Sequence, residues 1–425
     1  MHGAAPSINI EEAINAAPLQ PAASVRKYAW LGVTIGTATF LNGVLSGDAA
    51  HAWFCYYWAL LYFMGIAAGG VMISAIFQIT RATWSASIRR LTEANVAFLP
   101  VALTLFLVSY AGREHLFPWA RAPRPGTEWW MQPTFVYARI GLLLFLLFLF
   151  MWRFVRLSLR GDIGMVKDHG ADPDRWSSFL HSSVTERWRG VPLEVIEIQN
   201  TLSRRAPALA LVYALVYSMF AFEMVMAMDY RWLSNLFGGF VFIGNIYAGW
   251  AVLILLTLYH VRRDETFAKW VTTNELWDLG KLTFGFCMVW GYFFFSQFLP
   301  QWYGNLPEET QYMIIRLREF PWKGFAWVTL AACFIMPFII LLSRDVKKTP
   351  RCIGSVAALI LIGLAMERYL IVMPQHSPHV IPFGFTEVGV FIGFLGLYVL
   401  SLQSFLAAVP PVIVSSPLAR GSAEW

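Results

Sequence analysis

Long apolar stretches follow one another along most of the chain, separated by short polar segments. Each stretch has about 20 residues or more, the length that an α-helix needs to cross a bilayer. None shows the alternation of apolar and polar residues that is typical of a barrel strand. The pattern predicts an all-α membrane protein with ten transmembrane helices, numbered here span 1 to span 10. Their predicted ranges are 28–47, 53–79, 91–112, 134–157, 207–228, 235–260, 277–303, 324–343, 353–373 and 384–409.

The same pattern divides the chain into four parts. Residues 1–26 form an amino-terminal arm, 27–228 a first set of helices with spans 1–5, 229–409 a second set with spans 6–10, and 410–425 a tail. A mixed, charged segment precedes span 5, and its residues 191–202 are predicted to lie along the membrane surface.

Composition excludes a water-soluble protein. Hydrophobic residues make up 57% of the chain and charged residues only 14%, whereas a soluble domain carries about 25% charge. The net charge of +6 does not indicate a nucleic-acid partner, because most basic residues fall in one set of short loops. The expected surroundings are therefore lipid.

The distribution of lysine and arginine predicts the orientation. Loops that face the cytoplasm carry the excess of these residues, so the loops that share a side with both termini are predicted to be cytoplasmic. We call this the inner side. Outside the spans, the basic residues of the inner side include Arg26, Lys27, Arg81, Arg89, Arg90, Arg262, Arg263, Lys269, Lys347, Lys348, Arg351 and Arg420. The loops of the opposite, outer side hold Arg113, Arg121, Arg124, Arg231, Arg316, Arg318 and Lys323.

Acidic residues within the spans gather at one predicted depth below the outer surface. Glu223, Glu367 and Glu387 lie near the outer ends of three different spans, and Asp229 lies at the mouth of span 5. A charge at this depth persists only when it is paired, hydrated or used. These four acids are the predicted proton-transfer residues.

Two arginines share that predicted layer. Arg139 is interpreted as a member of a structural ion pair. Arg368 is expected to be the counter-ion of Glu223 or Glu387, because a buried guanidinium needs a carboxylate.

A second polar group lies towards the inner face. Asp278 and Lys281 on span 7 are predicted to form the inner end of a proton path, although Lys281 is equally able to snorkel to the surface. Ser296 and Gln297 lie between the two layers and are predicted to take part in proton transfer by hydrogen-bonding a water chain. Arg344 and Asp345 in the next inner loop are interpreted as a structural ion pair.

The four cysteines are far apart and form no CxxC pair. They are predicted to be small buried hydrophobes rather than ligands of an iron–sulfur cluster or zinc. No metal site is expected on this chain, and no Walker motif or catalytic triad appears.

Several strings resemble a known family. They are DLGKLTFGFCMVWGYFFFSQFLPQWYGNLPEE (Asp278 to Glu309), FEMVMAMDYRW (Phe222 to Trp232), LLSRDVKKTPR (Leu341 to Arg351) and EHLFPW (Glu114 to Trp119). Together they resemble the smaller NrfD-like membrane subunit of alternative complex III, a quinol:electron-acceptor oxidoreductase. That subunit is often called ActF.

The resemblance implies a fold of two four-helix bundles plus two extra spans in a bacterial cytoplasmic membrane. It implies a subunit of a respiratory or photosynthetic chain that anchors periplasmic redox subunits and conducts protons. No cofactor would be bound by this chain itself. The implied partners are a sister NrfD-like membrane subunit, a periplasmic iron–sulfur subunit and haem c subunits.

Span 9 departs from this pattern and leaves other interpretations open. Its MERYLIV segment (Met366 to Val372) resembles the corresponding segment of quinol-binding relatives instead. If this chain also binds quinol, Arg368, Glu367 and His115 would hold the head group of menaquinol or a quinone. A purely structural scaffold is a further alternative. A secondary transporter is disfavoured, because Gly and Pro do not cluster at matched mid-span positions.

Overall fold

The computed structural model describes residues 10–122, 125–168, 184–229 and 232–415. These residues contain ten helices long and apolar enough to cross a membrane, and no strand. The predicted all-α membrane fold is confirmed. Arg124, Arg231 and Arg420, which contributed to the predicted orientation, lie outside the described residues, as do residues 1–9 of the arm and 416–425 of the tail.

The spans are somewhat longer than hydropathy predicts. In chain order they are Ala23–Leu45, Ala49–Ile79, Arg89–Leu116, Pro133–Asp168, Val191–Met228, Phe237–Arg263, Thr273–Gly304, Trp322–Leu342, Pro350–Gln375 and Phe385–Leu406. Because their number is even, the described residues before span 1 and after span 10 lie on one side. We call this the terminal side, and the side with the loops after spans 1, 3, 5, 7 and 9 the distal side. Which side faces the cytoplasm stays a prediction.

Two four-helix groups form the core. Spans 2–5 pack around one another, and so do spans 6–9. Spans 2 and 6 run along each other where the groups meet, and span 2 also contacts span 9. Spans 1 and 10 pair closely and lie against span 2. This is the expected pattern of two bundles plus two extra spans.

Glycines allow the closest approaches between spans. A Cβ atom added to Gly36 on span 1 would lie 2.4 Å from the Cα of Gly393 on span 10. One added to Gly69 on span 2 would lie 2.1 Å from the backbone oxygen of Asn245 on span 6. Small residues let membrane helices pack backbone against backbone, so these positions fix the distance between the helices.

The prediction of a separate surface segment at 191–202 is wrong. Span 5 is one continuous helix from Val191. On the terminal side it is held to the similarly long span 4 by Arg160, whose Nε and Nη2 donate to the two carboxylate oxygens of Glu194 at 2.7 and 2.8 Å. This bidentate pair stabilises both extensions beyond the apolar stretch.

Candidate functional site

Glu223 lies in a π-helical turn, Ala221–Val225, near the distal end of span 5. Arg139 of span 4 donates to its Oε2 through Nη2 at 2.7 Å, and the indole N–H of Trp130 donates to Oε1 at 3.2 Å. The guanidinium also stacks on the Trp130 ring, 3.8 Å from its centroid. Arg139 is therefore the counter-ion of Glu223.

Glu367 is buried on span 9 and pairs with its own neighbour. Arg368 donates to Glu367 Oε1 at 2.8 Å, and its other terminal nitrogen donates to Asn245 Oδ1 at 3.0 Å and to the carbonyl of Val241 at 3.2 Å. The prediction that Arg368 serves Glu223 or Glu387 is wrong. The second oxygen of Glu367, Oε2, is buried without a hydrogen-bond partner among the described residues.

Glu387 is fully buried in the first turn of span 10. Its Oε1 lies 3.1 Å from Nε2 of His51, and its Oε2 accepts the backbone N–H of Gly384 at 2.9 Å. Cys55, one turn further along span 2 than His51, places its sulfur 3.7 Å from the same Nε2.

The three distal acids thus occupy three separate pairs. Within the described part of the chain, no direct hydrogen bond joins Glu223, Glu367 and Glu387 to one another. A proton path through all three stays a prediction. Of these three acids, only Glu367 has a buried carboxylate oxygen without a hydrogen-bond partner among the described residues.

That oxygen belongs to a residue that lines a cavity of about 480 Å³. Spans 6, 7, 8 and 9 and the distal helix Pro307–Leu317 form its walls. Three lining residues are more than half exposed, namely Phe295 (56%), Trp302 (60%) and Trp327 (58%). Because they lie on spans 7 and 8, the cavity opens sideways onto the surface that faces lipid. Its aromatic lining includes Trp232, Phe237, Phe240, Trp290, Phe294 and Phe298.

Polar atoms without partners concentrate at this cavity. Both side-chain polar atoms of Gln301 are buried and unpartnered among the described residues, and so are the indole nitrogens of Trp232 and Trp290. Gln297, one turn before Gln301, accepts from Ser234 Oγ at 3.3 Å and donates to the carbonyl of Phe293 at 3.1 Å. Buried polar groups are nearly always paired, so a group of unpaired ones around an apolar cavity indicates a ligand site.

Arg316 closes the distal wall of the cavity. It donates to the carbonyls of Leu370 and Ile371 at 2.9 and 3.0 Å and lies 3.5 Å from the ring centroid of Tyr312. Burial raises the pKa of Tyr312, Arg316 opposes this, and the charges of Asp229 and Glu367 raise the pKa further. Asp229 lies beside the distal end of span 9, where its Oδ2 accepts from Gln375 at 3.1 Å.

A comparison with known proteins decides the family. The sequence signature described as polysulphide reductase, NrfD, matches residues 44–377, which is most of the chain. The chain belongs to the NrfD family. An NrfD protein is an integral membrane subunit of a quinone-linked oxidoreductase, and members of the family typically partner with iron–sulfur and other redox subunits. No curated protein matches this chain.

Of the predicted site residues of this NrfD protein, only Gln297 and Glu367 are among the residues that line the cavity. His115 is exposed in the short helix Arg113–Leu116 at the distal end of span 3, and Ser296 is absent from the lining. The structure does not place His115 at the cavity that Glu367 lines, and quinone binding by Arg368, Glu367 and His115 stays a prediction.

On the terminal side, Asp278 and Lys281 form an ion pair. Cations surround the Trp277 ring, with Lys281 at 4.2 Å, Arg344 at 4.8 Å and Lys348 at 5.3 Å from its centroid. Arg344 and Asp345 are both exposed and make no ion pair with each other in the described structure. The interpretation of these two as a structural ion pair is wrong.

Sequence reasoning missed a buried charge network on the terminal side. Arg90 contacts both Glu93 and Asp162, and all three side chains are fully buried. The Oδ1 of Asp162 accepts the backbone N–H groups of Val414 and Ser415 at 3.0 and 2.8 Å. From the sequence, Arg90 was interpreted as a basic loop residue, and only the spacing to Glu93, three residues later, indicated an ion pair.

Proposed function

We propose that this NrfD protein is a membrane subunit of a quinol-oxidising complex of the alternative complex III type, and that its cavity binds the quinol head group. The proposal rests on one observation. A buried carboxylate, Glu367, has one oxygen paired with Arg368 and the other unpartnered, at an aromatic cavity that opens onto lipid.

The cavity suits a quinol in shape and chemistry. Its volume of about 480 Å³ lies within the usual range for small-molecule sites. A quinol reaches its site from the bilayer, which matches the sideways opening at Phe295, Trp302 and Trp327. Aromatic walls stack on a quinol ring, and Gln301 offers a donor and an acceptor for the ring oxygens.

Glu367 has the position of a proton acceptor. Quinol loses protons as its electrons pass to a redox partner, and a base must lie within hydrogen-bond reach of the hydroxyl group. Arg368 holds one carboxylate oxygen in place, which leaves Oε2 to accept. Asp229 is the next acid towards the distal surface, close to Tyr312 and Arg316, and we assign it the role of proton exit.

The remaining predicted proton-transfer residues lie off this short path. Glu223 and Glu387 are held in their own pairs, and Asp278 and Lys281 lie on the terminal side. We propose that the distal side is periplasmic and that it carries the iron–sulfur and haem c partners, with a sister membrane subunit alongside. Electrons then leave on the same side as the protons.

The proposal is tested with the assembled complex and Glu367→Gln. General-base contributions are typically about 10²–10⁴-fold, so quinol oxidation should fall by about that factor while the complex stays intact. Glu114→Gln is the matched control, because Glu114 is an exposed distal glutamate that pairs only with Arg113 in the described structure. This variant should keep the wild-type rate.

Filling the cavity provides a second variant. Ala326 is a small buried lining residue, and Ala326→Phe should raise the KM for quinol or abolish turnover without removing any ionisable group. If both Glu367→Gln and Ala326→Phe oxidise quinol at the wild-type rate, the cavity is not the site. The scaffold alternative would then be favoured.

A further inference from the structure

A second group of reactive side chains lies on the distal side, outside the quinol cavity. His51 and Cys55 are one helical turn apart on span 2, and Glu387 faces them from the first turn of span 10. Their ligand atoms, Nε2, Sγ and a carboxylate oxygen, all lie within 4.8 Å of one another. Cys55 and Glu387 are fully buried, and the His51 side chain is 12% exposed.

The spacing of these atoms matches tetrahedral coordination. Zinc bonds of about 2.0–2.1 Å to nitrogen, 2.0–2.2 Å to oxygen and 2.3 Å to sulfur place a nitrogen and an oxygen ligand about 3.4 Å apart and a nitrogen and a sulfur ligand about 3.6 Å apart. The observed separations are 3.1 Å for His51 Nε2 to Glu387 Oε1 and 3.7 Å for His51 Nε2 to Cys55 Sγ. The donors therefore need only small side-chain shifts to surround one ion.

The surroundings orient these ligands. The N–H of Gly384 fixes the far oxygen of Glu387 at 2.9 Å, and the hydroxyl of Tyr369 donates to the near oxygen at 3.4 Å. Hydrogen bonds to ligand carboxylates are the usual support of a metal site. The ring of His376 lies beside His51, 5.5 Å between centroids.

We propose that His51, Cys55 and Glu387 bind a zinc ion. A donor set of nitrogen, thiolate sulfur and carboxylate oxygen favours zinc over the oxygen-binding cations magnesium and calcium. The Cys55 thiol loses its proton to the solvent as the ion binds. The ion joins spans 2 and 10, so its role is structural and independent of the quinol site.

The competing explanation is a simple ion pair between His51 and Glu387, with Cys55 as a neighbouring thiol. Cobalt distinguishes the two, because Co²⁺ replaces Zn²⁺ and shows a sulfur-to-cobalt charge-transfer band only when a thiolate binds it. The complex is purified, its zinc content is measured, the metal is removed with a chelator and Co²⁺ is titrated in.

We expect stoichiometric zinc in the isolated protein, and a charge-transfer band with Co²⁺ that Zn²⁺ abolishes. Cys55→Ser should lose the band, and His51→Gln should weaken Co²⁺ binding by at least about tenfold. Cys287→Ser is the matched control, since Cys287 is an equally buried cysteine on span 7, and it should keep the band. Thermal unfolding of the metal-free variants checks that each is folded.

Two results would overturn the proposal. Wild-type protein that shows no sulfur-to-cobalt band has only the ion pair at this place. A band that persists in Cys55→Ser arises from another thiol and shows that the cluster is not the site.

Discussion

At the scale of single residues, the distal acids show what a sequence can and cannot predict. Glu223, Glu367 and Glu387 were recognised because a carboxylate inside an apolar stretch is costly. The partners of these acids were not recognised, because which side chain pairs with each acid depends on how each helix is rotated about its axis. Arg139 reaches Glu223 from span 4, Arg368 reaches its own neighbour, and His51 reaches Glu387 from the other end of the chain.

The pair of Arg139 and Glu223 gives a prediction at this scale. Removing one member of a buried ion pair typically costs about 3–5 kcal/mol, whereas replacing both members is close to neutral. Arg139→Met should therefore destabilise the protein by about 3 kcal/mol, and the double variant Arg139→Met/Glu223→Gln should recover at least half of the loss.

Thermal unfolding in detergent measures both variants, and Glu223→Gln alone completes the double-mutant cycle. Additive effects of the two single substitutions would contradict the assignment, because they would mean that the two side chains are not coupled.

At the scale of helices, hydropathy located all ten spans, because a lipid-exposed backbone must satisfy its own hydrogen bonds and forms helices. It did not predict the long terminal-side extension of span 5, which is amphipathic and stabilised by span 4 through Arg160 and Glu194. The cavity was also missed. It arises from the faces that spans 6, 7, 8 and 9 turn towards one another, and the only signal in the sequence was Gln297 and Gln301 one turn apart.

The contact between spans 1 and 10 gives the prediction for elements. Gly36→Ala places a Cβ atom 2.4 Å from the Cα of Gly393, so the helices must separate. Overpacking of this kind costs about 1–3 kcal/mol, and we expect a lower unfolding temperature.

Gly285→Ala on span 7 is the matched control for this substitution, because a Cβ atom there has nothing within 4 Å. This variant should be neutral or slightly stabilised, since alanine is the better helix former. Equal unfolding temperatures for the Gly36 and Gly285 variants would show that spans 1 and 10 are not in backbone contact.

At the scale of the whole molecule, the two sides of the membrane differ. The distal side carries the proposed quinol cavity, the proposed zinc cluster and the acid pairs, while the terminal side holds the buried network of Arg90, Glu93 and Asp162. That network binds the backbone of the tail at Val414 and Ser415. It could not be predicted from the sequence, because it joins three distant segments.

The tail contact gives the prediction for the whole molecule. Asp162→Asn leaves Arg90 with less buried negative charge and weakens the acceptor for the two tail N–H groups, so we expect a loss of about 3 kcal/mol. Hydrogen exchange at residues 412–415 should speed up markedly. Asp264→Asn is the control, since Asp264 caps only the short helix Glu265–Lys269, and unchanged tail exchange in Asp162→Asn would contradict the account.

The central claim is that quinol binds beside Glu367, and photoaffinity labelling tests it most directly. A photoreactive quinone analogue is added to the assembled complex in membranes, and the labelled peptides are identified by mass spectrometry. We expect labels on the cavity walls at spans 7, 8 and 9, near Gln301, Trp327 and Ile371, that excess quinol and Ala326→Phe both suppress. Labels confined to a partner subunit or to spans 2–5 around His115, with the cavity unmarked, would contradict it.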